Sequence, residues 1–232
     1  MTQFLGGFDR WLAGLARWQC WLIQLMLGAL VAAGQSPLSL PLISLVALYF
    51  ILRLFQQTQG VKAAAWFGWR VGTGYFAASM FWIVEPFMVD AARDGWMAPF
   101  ALFFLATGLA LFWMAGFLGA VLLAPGPKGR LLALVITLGL AELARAYVLT
   151  GFPWSLLAYI WVETPLIQLV AYIGPHGLGA LTLVIVALPL LVGSPSWGVW
   201  AASLVVLAGF GVGMAPAATC RKSCRKIRWP CG

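Results

Sequence analysis

Glu142 and Arg145 are the only charged residues in the apolar run from Leu131 to Leu149. In a segment of that hydropathy each charge costs about 2.5–3.5 kcal/mol to insert into lipid, so it pairs or serves a function. Their i,i+3 spacing puts them on one helix face. Two chemistries fit. One is an intrahelical ion pair that hides both charges near the membrane boundary. The other is a guanidinium turned to a lipid phosphate, with the carboxylate holding its orientation. Thr150-Gly151-Phe152-Pro153-Trp154 follows. A helix cannot run on through it, because Pro153 has no amide hydrogen and disfavours helical geometry at Phe152. Trp154, Tyr159 and Trp161 then make an aromatic cluster. An interfacial belt accounts for the aromatics, but not for a rigid break placed straight after a charged helix end. Glu142, Arg145, Phe152, Pro153 and Trp154 are therefore the candidate lipid-contacting residues.

The other reactive side chains assemble into nothing comparable. His176 is the only histidine, so no Ser-His-Asp set can form, and no phosphate-cradling Gly-Lys motif is present. Asp90 and Asp94 fit a solvated turn better than acid–base work. Cys20 reads as a small buried hydrophobe. Cys220, Cys224 and Cys231 match no zinc-site spacing, and neither a metal nor a cofactor is implied.

These residues need a scaffold, and composition says which solvent it lives in. Hydrophobic residues make up 63% of the 232-residue chain and charged ones only 9%, against about 25% charged in soluble domains. A bilayer fits that surface. Strands cannot satisfy their backbone in lipid unless they close a barrel, and no alternating pattern is seen, so the fold class is all-α. We read a polytopic helical membrane protein of about seven transmembrane helices: 18–34, 38–55, 66–88, 97–124, 131–149, 177–192 and 197–214. Residues 150–176 form an aromatic stretch that re-enters the membrane. Gly68 and Gly72 allow close helix approach in the third span.

Basic residues fall on alternate connections: Arg10 and Arg17, then Arg53, Lys62 and Arg70, then Lys128 and Arg130. The positive-inside rule makes these cytoplasmic, with residues 1–17 as a cytoplasmic amino terminus. The acidic turn from Glu85 to Asp94 is then external. Seven crossings bring residue 215 out on the far side. There the tail, 215–232, breaks the pattern. Five of the fourteen Lys and Arg lie in the last twelve positions, which leaves +3 of the net +8 for the rest. A basic, cysteine-rich tail on the external face is expected to be the product of a truncation or frameshift. Basic charge confined to loops and a tail gives no face for nucleic acid.

Glu142-Leu143-Ala144-Arg145 and Thr150-Gly151-Phe152-Pro153-Trp154 together resemble a signature of bacterial apolipoprotein N-acyltransferases. The Gly-rich third span ending in Phe81-Trp82-Ile83 and the Tyr172-Ile173-Gly174 segment are similar to that family too. The resemblance covers roughly residues 20–214. It implies a multi-pass protein of the bacterial inner membrane. Its partners would be a phospholipid acyl donor and a diacylated lipoprotein, whose N-terminal diacylglyceryl-cysteine receives the acyl chain. It also implies that the catalytic residues, a Glu-Lys-Cys triad, belong to a nitrilase-like domain that has no match in this sequence, so the chain alone is expected to be inactive. A small inner-membrane transporter or a non-catalytic membrane scaffold is the alternative. A transporter would show broken helices and internal repeats; here the charges sit toward one end of their span and no repeat is evident.

Overall fold

The computed structural model describes residues 14–148 and 151–192. The expected seventh span, the tail 215–232 with its three cysteines, and the amino-terminal residues 1–13 lie outside the described residues, as do Leu149 and Thr150. Among the described residues there is no strand. The described residues form six long helices: α1 (Arg17–Ala32), α2 (Pro41–Gln57), α3 (Val61–Ser79), α4 (Ala98–Leu123), α5 (Pro127–Tyr147) and α6 (Val170–Val192). Proline opens α2, α4 and α5 within their first two positions, where its missing amide hydrogen has no partner to lose. Two stretches, Ala91–Leu123 and Pro165–Val192, are long and apolar enough to cross a membrane.

The helices close a ring in the order α1, α3, α4, α5, α6, α2. Its interior is an aromatic column along α3 and α4. Phe55 and Phe67 pack on Phe117, with ring centroids 4.8 and 5.6 Å away. Farther along, Tyr75 stacks on Trp113 at 4.9 Å. The outside is equally apolar, with Phe104, Leu111, Leu122, Ile136 and Leu140 all exposed. A soluble monomer does not display so much contiguous apolar surface.

Small residues set how closely the helices approach. The backbones of α1 and α3 touch: a methyl on Gly28 would overlap the Val71 carbonyl oxygen, and one on Gly74 that of Leu25. Gly68 and Gly72, expected to pack, face Phe117 and Trp113.

The third span is displaced from its expected place. It begins at Val61, ends at Ser79, and gives way to short turns at Phe81–Val84, Glu85–Met88, Ala91–Asp94 and Gly95–Met97. Ala63, Ala64 and Ala65 favour helix at the start, and beyond the end Pro86 stands in the first two positions of the separate turn Glu85–Met88. As a result Lys62 joins Arg70 within α3, and only 58–60 connect α2 to α3. The fifth span starts earlier than Leu131, at Pro127. The sixth starts at Val170 but is interrupted at Gly174, whose φ of 69° precedes Pro175. Cys20 is a free thiol, half-buried.

Candidate functional site

Arg145 lies in the last turn of α5, and the chain then reverses. Gly151 makes the reversal possible: its φ is +73°, and a side chain there would press on the Ala146 carbonyl oxygen. The Phe152 amide donates back to the Arg145 carbonyl oxygen at 2.9 Å. From Phe152 to Leu156 the backbone is not helical, so its carbonyls need other donors in a water-poor interior.

Side chains from three parts of the ring supply them. Arg145 Nη1 donates to the carbonyl oxygens of Phe152 and Trp154 at 2.7 and 2.6 Å, and Nη2 to that of Ser155 at 3.3 Å. Tyr75, on α3, donates its hydroxyl to the Ser155 carbonyl oxygen at 2.9 Å. Gln35, in the α1–α2 connection, donates Nε2 to the Tyr75 hydroxyl at 2.6 Å and to the Leu156 carbonyl oxygen at 3.4 Å. The Phe76 ring lies 5.1 Å beneath the guanidinium, a cation–π contact. The following residues, Leu156 to Ala158, Ile160 and Trp161, are buried in the ring. The stretch thus lies inside the protein.

Glu142 and Arg145 are 3% and 1% exposed. They form no ion pair: the guanidinium has turned to the loop. It faces inward, onto the loop carbonyls. The Glu142 carboxylate has Arg145, the Leu157 amide and the Trp113 indole as neighbours, and Oε2 is close to Gly179 of α6. Three buried polar atoms here, Glu142 Oε1, Arg145 Nε and Trp113 Nε1, make no hydrogen bond.

The remaining candidates divide. Phe152 is half-buried against the core, whereas Pro153 and Trp154 are exposed. Trp154 meets Trp82, also exposed, with ring centroids 5.7 Å apart. Gln35, Tyr75 and Trp113 escape sequence reasoning. Gln35 and Tyr75 lie 40 to 121 positions from their hydrogen-bond partners, and no local pattern singles out any of the three.

Tyr75 tests the node. Tyr75→Phe keeps the ring on Trp113 but removes the hydroxyl that joins Gln35 to the loop. We expect a loss of about 1–3 kcal/mol, the cost of leaving buried polar groups short of a partner, read as a lower melting temperature in detergent. An unaltered melt would mean that the hydroxyl does not hold the loop.

This arrangement can be set beside known proteins. The profile of the apolipoprotein N-acyltransferase N-terminal domain matches residues 27–188. The chain belongs to this family. It is 40% identical over 157 residues to the apolipoprotein N-acyltransferase of Caulobacter vibrioides, covering 65% of this chain and 30% of that protein. It is 36% identical over 208 residues to the one from Rhodopseudomonas palustris, covering 84% of this chain and 39% of the relative. The Brucella suis relative is 38% identical over 154 residues, 65% of this chain and 29% of its own length. The chain thus spans roughly a third of the curated relatives it matches. Arg145 and the loop it anchors, Phe152 to Leu156, fall inside the matched residues.

Proposed function

We propose that this chain forms the membrane part of an inner-membrane apolipoprotein N-acyltransferase, which moves an acyl chain from a phospholipid to the N-terminal diacylglyceryl-cysteine of a lipoprotein. Seven spans with a cytoplasmic amino terminus carry it, and the anchored loop faces the periplasm. The observation that carries the reading is the fastening of the Phe152–Ser155 loop by Arg145 and Tyr75, within the residues matched to the family. That fastening holds Trp154 exposed beside Trp82, an amphipathic aromatic pair suited to a lipid headgroup boundary. Arg145 acts as a positioning residue here. Phe152 and Pro153 shape the loop, and Trp154 meets the lipid substrates. The acyl-transfer chemistry itself is placed outside residues 27–188.

The test is made in a full-length relative. Replacing the tryptophan that matches Trp154 by alanine should cut transfer to a diacylated peptide by about 10–100-fold, the scale of a misplaced substrate, with little change in melting temperature. Undiminished turnover would remove Trp154 from the site.

A further inference from the structure

Arg70 takes no part in the anchored loop. It lies nine residues into α3, about 14 Å along the helix from Val61. Its side chain reaches α1, where Cζ sits 4.7 Å from the centroid of the Trp21 ring and Nη1 donates to Gln24 Oε1 at 3.1 Å. Arg70 is the midpoint of α3, and its side chain runs toward the end of the bundle where α1 starts, Trp21 being about one turn from Arg17; long basic side chains in a spanning helix reach an interface in this way. None of the described acids, Glu85, Asp90, Asp94, Glu142 or Glu163, pairs with it.

The surroundings are those of a headgroup seat. Trp21 is 48% exposed, and so is Trp66, one turn before Arg70 on α3. Trp18 is 60% exposed one turn before Trp21. Trp66 packs edge-on to Trp69, whose Nε1 donates to the Thr107 carbonyl oxygen, so this flank is fixed to α4. Arg17 and Lys62, at the starts of α1 and α3, are exposed and add positive charge on the same side. A guanidinium has five donors in a planar fork; one is bonded here, and a phosphodiester offers the matching oxygens.

We propose that Arg70, Gln24 and Trp21 bind the phosphate of an anionic phospholipid in the cytoplasmic leaflet, with Trp18 and Trp66 flanking its glycerol and upper acyl region. The leaflet rests on the orientation given under the proposed function. The site stands apart from the Trp154 loop, because the Arg70 side chain runs to Trp21 and Gln24 in the first half of α1, whereas the loop-anchoring Tyr75 and Phe76 lie in the second half of α3. It is a resident-lipid site that ties α1 to α3 at the inner face.

Native mass spectrometry of the purified chain, released from micelles of phosphatidylglycerol and phosphatidylethanolamine, tests this. One phosphatidylglycerol should be retained by the wild type and depleted about tenfold in Arg70→Gln, the loss expected for one charge-assisted contact. Arg70→Lys keeps the charge without the fork and should retain an intermediate amount, so the test survives if Arg70→Gln fails to fold. Arg93→Gln, at an exposed pair with Asp94, should retain as much as the wild type. Equal retention in Arg70→Gln, or in Arg70→Lys where that alone can be purified, would overturn the site. So would displacement of the lipid by millimolar inorganic phosphate, which would indicate a bare anion site. Retention is read without acyl transfer, so failure here and failure of the Trp154 assignment are told apart.

Discussion

Arg145→Ala is expected to destabilise the protein by about 3–5 kcal/mol, because it strips the charged donors from the carbonyl oxygens of Phe152, Trp154 and Ser155 and removes the cation beside the buried Glu142. Hydrogen bonds to a charged group contribute about 1.5–3 kcal/mol each, and these act as one unit, so their losses do not add. Thermal unfolding in detergent measures the effect. Arg145→Lys should recover little of it, since a single ammonium cannot span three carbonyls held by a planar fork. Pairing Arg145→Met with Glu142→Leu should be milder than Arg145→Met alone, because no carboxylate then remains in the interior without a cation beside it. A wild-type melting temperature for Arg145→Ala would refute the anchoring role.

Those outcomes bear on how a loop can serve as a site in lipid. A non-helical segment at membrane depth persists only where protein groups satisfy its backbone. Phe152, Trp154, Ser155 and Leu156 each present a carbonyl that a side chain meets. With the backbone satisfied from inside, the Trp154 side chain is left to project outward. The charge at the end of α5 therefore fixes where the Trp154 side chain projects.

The spacing of Glu142 and Arg145 and the break at Gly151 to Trp154 were legible because they are local. Helix periodicity places two charges on one face, and Pro153 stops the helix whatever surrounds it. What the charges bind was not legible. The i,i+3 rule describes an isolated helix, whereas here the tertiary loop outbids Glu142 for the guanidinium. Likewise, Lys62 reads as a loop charge between the second and third spans, yet the alanines after it extend α3 back to Val61. The partners Gln35 and Tyr75 are unreachable from sequence spacing, because the ring order brings α1 beside α3 and the α5 loop above both. The aromatic column had no signal beyond composition, since Trp and Phe abound on both the inner and outer faces.

The second large effect is expected where helices touch backbone to backbone. Gly74→Ala places a methyl against the Leu25 carbonyl oxygen, with Cα of Leu25 also in the way. Overpacking a well-filled interface costs about 1–3 kcal/mol when side chains can give way. A helix backbone cannot, so α1 must move off α3, and the loss should reach or exceed the top of that range. Moving α1 also shifts Gln35, so Gly74→Ala should loosen the loop that Gln35 and Tyr75 hold. Gly108→Ala, in the interior of α4 with nothing within 4 Å of the added carbon, is the control and should be neutral or stabilising by about 0.5–1 kcal/mol. Melting curves for the two variants, with proteolysis at the Trp154 loop as a second readout, decide the matter. If Gly74→Ala and Gly108→Ala melt alike, α1 and α3 do not pack as closely as described.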